Sequence, residues 1–483
     1  MNYMLQDEPD IILVAPFPGN IKGVSETTLL PPIGLAYIAA VLENEGFRCG
    51  VIDANVLKKD ANMVVEDILR SKPKAVGITA NLFTGNACIE IAEKLKSACH
   101  EAPKIIVGGP FPTSFPQKFL QEGKADVVVI GEGELTMLEI MHNLRRGQCN
   151  NFSGINGVAY AENGTIIRTE QRKRIKDLDS LPIPAWYMLP DLNLYKSRAR
   201  KTPVAPILTS RGCPSQCVYC SKDVFLSNFT ARSPQNVLSE IDYLVKELNV
   251  KQIDILDDNF SLIRKRTVEI LDGIIERNYN LAINLQLGVR VDSLDENIIK
   301  KMKKAGVFKI AFGVESGDER VLKNCRKGIS LSKVLEATRL AKDSGMIVYG
   351  FFMFGLPGDN AQTMQKTIDF AIKMNPTIAN FTITVPFPGT RLFEMVQREG
   401  RFLVDTTSGL DMGFYSGEAF YELGSLSKED VAKYYQKAYQ DFYYRSSKML
   451  ELLFSVQSLT EFLWIAKTSL FMLGSLHKKI LDR

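Results

Sequence analysis

The sequence predicts an α/β protein with two successive strand–helix alternations and a helical C-terminal region. Three observations predict it. Nearly continuous runs of Val, Ile and Ala recur between residues 11 and 132, spaced by segments with apolar residues at helical intervals. A second series of the same kind begins at residue 204. Beyond residue 425 strand-like runs give way to helical patterning dense in Tyr, Phe and Leu.

In the first series the candidate strands are IILVAPF (11–17), CGVIDAN (49–55), AVGITAN (75–81), KIIVGGP (104–110) and DVVVIGE (126–132). Runs this apolar suit strands buried on both faces of a parallel sheet. Between them lie PPIGLAYIAAVLENEG, MVVEDILRS, GNACIEIAEKLKSACH and FPQKFLQEGK, each with helical spacing. The rhythm is that of a doubly wound, Rossmann-like five-stranded parallel sheet over residues 1–148. Ligands of such sheets bind beyond the carboxyl ends of the strands. At those ends Gly108-Gly109-Pro110 and Gly131-Glu132-Gly133-Glu134 allow close approach to the backbone.

Residues 149–200 read as a linker carrying a hairpin, GVAYAENGTIIRTE, that turns at Asn163-Gly164. The prolines of DLDSLPIPAWYMLP suit a crossing between domains. From 201 to 400 come six strands, VAPILTS, QIDILDD, AINLQLGVR, KIAFGVES, IVYGFFMFG and ANFTITVP, alternating with five helical segments. Six units fall short of the eight in a closed barrel, so a partial (β/α)6 TIM-type barrel is expected. Periodicity alone leaves a second doubly wound sheet as the alternative. Residues 401–483 form the helical C-terminal region.

With 45% apolar and 24% charged residues the chain has the composition of a folded protein. Its formal charge of +4 is dispersed, without the basic stripe that marks nucleic-acid binding. The N-terminus lacks a secretory pattern. No apolar run reaches the roughly 20 residues needed to cross a bilayer. Eight cysteines in 483 residues do not make a disulfide scaffold, so a cytoplasmic location is expected, where clustered cysteines bind metal or do redox chemistry.

TSRGCPSQCVYCSK (209–222) gathers Cys213, Cys217 and Cys220 on a loop after a strand. Structural zinc wants four ligands, usually in two pairs, and the other cysteines (49, 88, 99, 149, 325) and the histidines (100, 142, 477) supply no second pair. Disulfide pairing would leave one of the three odd. Pro, Ser, Gln and Gly around them argue against a core strand. A 4Fe–4S cluster fits, because thiolates are its standard ligands. Three thiolates leave one iron open for a small molecule.

CPSQCVYC after the first strand of a partial barrel resembles the radical S-adenosylmethionine (SAM) superfamily, as does Tyr219 before the last cysteine. The resemblance implies that the open iron chelates SAM. One electron, from a donor such as flavodoxin or ferredoxin, then cleaves it to methionine and a 5′-deoxyadenosyl radical. Further matches fall at successive strand ends: DDNF (257–260), GVRVD (288–292), GVES (313–316), FGLPGD (354–359) and PFPGTRLFE (386–394). By this likeness Arg290 and Glu315 contact SAM, and the Gly355–Gly358 turn meets its adenine side. Strand-end turn chemistry is the plainer reading of any one of them.

The first module resembles the cobalamin-binding subgroup of that superfamily, through PPIGLAYIAAVLENEG, GITAN, GGPFPT and VIGEGE. The implied corrin contacts are Thr79, Gly108 and Gly109. Cobalamin domains that supply a histidine to cobalt carry Asp-x-His-x-x-Gly; here the loop PFPGNIKGVSE has none. His100 and His142 read as helix residues. The resemblance therefore implies cobalamin without a protein histidine below it, or a domain that has lost cobalamin. A Gly-x-Gly-x-x-Gly fingerprint after the first strand is missing, which argues against NAD or FAD.

Cluster, SAM and cobalamin together imply methyl transfer to an unactivated carbon or to phosphorus of a small-molecule or lipid-like substrate. Oxidative cyclisation, as in the anaerobic cyclase of chlorophyll synthesis, is the alternative within enzymes. A non-catalytic iron–sulfur or cobalamin-binding protein is the alternative outside them. The segment 449–476 reads as a helix packed on the barrel; lying instead on a membrane surface, it would point to a lipid substrate and peripheral association.

Overall fold

In a computed structural model the described residues are 8–19, 30–98, 101–195, 199–405 and 417–455. Strands β1 (Ile11–Ala15), β2 (Cys49–Asp53), β3 (Ala75–Thr79), β4 (Lys104–Gly108) and β5 (Val127–Val129) run parallel in the order 2-1-3-4-5. Alternation decides their packing. Ile11 and Leu13 face helices Ile33–Asn44 and Glu134–Arg145, while Ile12 and Val14 face Ala61–Ser71 and Gly85–Ala98. The chain reverses direction across the sheet between β1 and β3, the switch point beside which such sheets bind ligands.

One expectation needs correction here. The hairpin at 158–168 is no free linker: β6 (Val158–Glu162) and β7 (Thr165–Arg168) continue the sheet antiparallel to β5, making seven strands rather than five. Burial of Val158, Ala159 and Tyr160 against the module is what draws it in. The turn falls at Asn163-Gly164, both at positive φ (50° and 76°), as an Asn-Gly hairpin requires. The crossing segment is itself packed. Trp186 and Tyr195 are buried in a core continuous with both sheets, and Tyr195 donates to Asp53 at 2.8 Å.

β8 (Val204–Ile207) leads into a short ladder, β9 (Ser210–Arg211) with β10 (Thr230–Ala231). β11 (Gln252–Ile255), β12 (Ala282–Val289), β13 (Val307–Glu315), β14 (Ile347–Phe354) and β15 (Ile378–Ile383) then add to β8 in chain order, all parallel. A helix follows each strand up to β14. Consecutive order has no switch point, so a second doubly wound sheet is excluded and the chain winds in one sense. A small pair, β16 (Gly400–Phe402) with β17 (Tyr421–Leu423), closes the described strands.

The aromatic helix Lys428–Tyr443 covers β15, whose outer edge would otherwise be unpaired. Tyr443 Oη donates to Ala379 O (2.7 Å) and accepts from Ala379 N (3.1 Å); Tyr439 Oη donates to Phe381 O (3.0 Å). Lys448 is buried in the next helix, Ser446–Ser455, and donates to Pro376 O at 2.7 Å. The segment 449–476 lies mostly outside the described residues. Among the described residues no helix is long and apolar enough to cross a membrane.

Candidate functional site

The cysteine loop starts on a residue that must be glycine. Gly212 has φ +81°, and a Cβ there would stand 2.0 Å from Asn228 O, across the β9–β10 ladder. Its amide donates to Asp258 at 3.0 Å, while fully buried Asp257 accepts from Thr209 N (2.6 Å) and Ser210 Oγ (2.5 Å). The DDNF turn after β11 thus holds the entry to the loop. Farther along, Val218 N donates to Cys325 O (3.1 Å), Leu392 N to Val218 O (2.9 Å), and Arg290 Nη1 to Ser215 Oγ (2.7 Å). Turns after β11, β12, β13 and β15 grip one loop.

Cys213, Cys217 and Cys220 are free thiols on that loop. Among the described residues no three His, Cys, Asp or Glu side chains already converge on a metal position. The thiols nonetheless feel one another. Removal from water, then Cys217, Asp258 and Cys213, push the Cys220 thiol up to about 11, with Lys222 opposing. Loading iron must therefore release a proton here, since the thiolate is the ligand.

Glu315 ends β13 in a left-handed conformation (φ +70°), costly for a residue with a side chain. Its buried carboxylate accepts from Lys327 Nζ at 2.8 Å. Burial pulls the Lys327 ammonium down, but Glu315 and Cys217 outweigh it and carry it above the ordinary lysine range. Arg290 Nη2 donates to Asp292 (2.6 Å) and to Gly328 O (2.7 Å), beside Lys327. Gly355 (φ +82°) and Gly358 (φ +90°) frame the turn after β14, where Asp359 accepts from the amides of Gly355 (3.1 Å) and Leu356 (2.9 Å). Burial raises the Asp359 carboxyl to about 6 despite those bonds. Leu356 packs on Val218 and Cys325, with Tyr219 against them.

The structure thus brings Tyr219, Arg290, Glu315 and the Gly355–Gly358 turn around the three cysteines. Sequence reasoning missed Lys327, which stands twelve residues past its partner with no motif to flag it. It also gave no role to Asn259. That side chain is fully buried, yet neither its Oδ1 nor its Nδ2 has a partner. An unmet buried amide costs about 1–3 kcal/mol per group, so this one is suited to a polar ligand at the cysteine loop.

Thr79, Gly108 and Gly109 lie together at the carboxyl ends of β3 and β4, Thr79 in register with Gly108. Gly109, at φ +106° and ψ −177°, occupies backbone space essentially reserved for glycine, and a Cβ would fall 2.6 Å from Ala80 O. The result is a cradle of nearly bare backbone at the carboxyl ends of β3 and β4. His142 is elsewhere: its ring stacks edge-on against Phe47, just before β2, at the opposite end of the sheet. His100, His477 and residues 20–29 of the loop after β1 lie outside the described residues.

A thiol loop at the carboxyl end of one parallel sheet, beside a bare-backbone cradle at the carboxyl end of another, is an arrangement suited to a two-cofactor metalloenzyme. Comparison with known proteins agrees. The Radical SAM superfamily model matches residues 207–371 and the B12 binding domain model matches residues 23–141. The uncharacterized methyltransferase PH0819 of Pyrococcus horikoshii is 32% identical over 92% of this chain and 94% of its own. The anaerobic magnesium-protoporphyrin IX monomethyl ester cyclase of Rubrivivax gelatinosus is 28% identical over 75% of this chain and 66% of its own. A solved structure of the cobalamin-dependent SAM radical enzyme OxsB, with aqua-cobalamin bound, superposes with a TM-score of 0.74 at 19% identity. It covers 98% of this chain and 72% of the OxsB chain. The chain belongs to the cobalamin-binding branch of the radical SAM superfamily. It is an enzyme that uses a 4Fe–4S cluster, SAM and cobalamin.

One expected result follows directly from the Glu315 pair. Lys327→Met leaves a carboxylate buried without its cation and should lower unfolding stability by about 3 kcal/mol. Denaturant titration of the apoprotein reads this; a change under about 0.5 kcal/mol would show the pair to be a surface contact.

Proposed function

We propose that this enzyme methylates an unactivated carbon of a small-molecule substrate. Cys213, Cys217 and Cys220 hold the cluster in a partial barrel of six strands (201–400), and Thr79, Gly108 and Gly109 lie against the corrin in the first module (1–148). When bound, cluster and SAM supply a carbon radical, and cobalamin supplies a methyl group.

The chain's own residues do the positioning. Arg290, bonded to Ser215 and Gly328, braces the cysteine loop. Glu315 and Lys327 present an ion pair whose members can turn to the amino and carboxylate groups of SAM. Asn259 offers the same ligand an amide that has no protein partner. The turn at Gly355–Gly358, pinned by Asp359, presents backbone to the adenine. The region 401–483, with its tyrosine-rich helix over β15, is assigned to shaping the substrate cavity.

The observation that carries this reading is the contact between the two sites. Ser114, on the short helix that begins at Gly109, is hydrogen-bonded to Asp223, three residues past Cys220. The bond brings the segment after β4 beside the cysteine loop, which supports one shared space for corrin and cluster, as methyl delivery to a substrate radical requires. Identity over nearly the whole chain with a protein named as a methyltransferase favours transfer over cyclisation. The cyclase relative keeps cyclisation as a second reading. Flavodoxin or ferredoxin is the expected class of reductant.

Product analysis separates the two. Candidate substrates turned over anaerobically with deuteromethyl-labelled SAM should gain one labelled methyl group, with 5′-deoxyadenosine formed in parallel. Turnover that removes hydrogens and adds no label would establish the cyclase reading instead.

A further inference from the structure

Both flanks of the cysteine loop are tied into the first module, by different residues. Upstream, Arg211 immediately precedes Gly212 and is buried. Its guanidinium donates to Glu132 Oε1 at 2.8 Å and to Glu134 Oε1 at 2.5 Å. Both carboxylates are buried, Glu132 in the turn after β5 and Glu134 at the first position of the helix Glu134–Arg145. Glu132 Oε2 accepts the amide of Ile175 at 2.9 Å and stands 3.9 Å from Arg174, which donates to Asn228 O (2.7 Å) and to Arg211 O (3.3 Å). Tyr37 and Phe225 rings wall the Arg211 guanidinium. Downstream, Asp223 accepts from Ser114.

The upstream tie is a buried set of two arginines and two glutamates, balanced in charge. Such a set is a poor way to gain stability, because desolvation cancels most of the attraction. What it supplies is direction: forked bonds between planar groups are satisfied in one register, where apolar surfaces tolerate several. The tie also falls where register matters. Glu132 and Glu134 follow β5, and Ser114 follows β4, on segments that leave the strand ends flanking the cradle.

We propose that Glu132, Glu134 and Ser114 are positioning residues that fix the cysteine loop against the corrin module, so that binding of cobalamin and assembly of the cluster are energetically coupled. The proposal rests on the assignment of cluster and cobalamin to these two sites. Coupling of this kind is reciprocal: whatever factor the cluster adds to cobalamin affinity, cobalamin adds to cluster retention.

The test uses the full chain under anaerobic conditions. Cobalamin is titrated by absorbance with and without reconstituted cluster, and pulsed dipolar EPR measures the separation of cob(II)alamin and reduced cluster. The wild-type chain should bind cobalamin at least about fivefold more tightly when the cluster is present, with one narrow distance. Glu132→Gln combined with Glu134→Gln should still take up each cofactor alone, bring the coupling factor to about one, and broaden the distance distribution; the size of the effect follows from loss of one shared register. Should that variant not fold, Ser114→Ala decides: it removes one neutral bond, and should broaden the distances and weaken coupling by a smaller factor. Unchanged coupling and distances in Ser114→Ala and in whichever glutamate variant folds would overturn the proposal, as would a wild-type chain that binds both cofactors without coupling. A wild-type chain that takes up neither cofactor would overturn the site assignment itself.

Discussion

Cys217→Ala is expected to take up no stable 4Fe–4S cluster on reconstitution and to form no 5′-deoxyadenosine from SAM. Cys217 is the middle ligand of the three, and the next residue, Val218, is held by two backbone bonds: its N–H donates to Cys325 O and its carbonyl accepts from Leu392 N. The scaffold therefore survives the substitution while the ligand count falls to two. The buried cysteines of the core do not substitute. Cys49, Cys88 and Cys325 are buried, and burial drives the Cys88 and Cys325 thiols far above the ordinary range. Cys325 comes nearest, its carbonyl bonded to the loop, but its side chain packs with Val321 and Leu356. Iron and sulfide content and the reduced-state EPR signal read the first expectation, and chromatography of the SAM products reads the second. Wild-type levels of either would remove Cys217 from the site.

Gly109→Ala is expected to separate the two halves of the chemistry. The new methyl group would sit 2.6 Å from Ala80 O and 2.9 Å from Thr79 Oγ1, in a conformation that only glycine adopts freely. Strain of this order is about 1–3 kcal/mol, and relieving it moves the turn that lines the cradle. Cobalamin affinity should fall about tenfold to a hundredfold by that energy, with labelled methyl transfer lost in proportion. SAM cleavage should fall far less, because Gly109 makes no bond to the cysteine loop and reaches it only through Ser114, at the far end of the short helix it caps. The decisive comparison is cobalamin affinity by absorbance against 5′-deoxyadenosine yield, in the same preparation. Equal loss of both would indicate general misfolding, and no loss of cobalamin would move the corrin away from the β3–β4 ends.

Much of this was legible one segment at a time. The eleven strand stretches of the two series follow from runs such as IILVA and IVYGFFMF, whose burial on both faces or alternate faces leaves a periodic trace. The helix Glu134–Arg145 was overlooked because its start is fused to GEGE, which reads as a turn, and its Leu, Ile and Met positions follow without a break. The hairpin around Asn163-Gly164 was recognised as a hairpin but not as part of the sheet. Its turn is local, whereas its partner β5 is thirty residues upstream.

Glu132 and Glu134 show the same limit in the site. In GEGE they look like loop residues near a ligand; in the fold they are the counter-charges of Arg211, 79 and 77 residues away. Arg290 was expected at the cofactor, and it reaches the cofactor's loop through Ser215. Lys327 carried no pattern at all, and Asn259 stood inside the DDNF match without a role of its own.

By itself the sequence determined the cofactor chemistry. Three thiols at 213, 217 and 220, without a fourth ligand, depend only on spacing within one loop. Tertiary structure alone decided that the two modules meet, and how. Ser114 finds Asp223 across 109 residues, and a glutamate pair finds its arginine, because burying the seam around Trp186 and Tyr195 closes those distances. Contacts made only when distant apolar surfaces leave water together have no signature in the residues nearby.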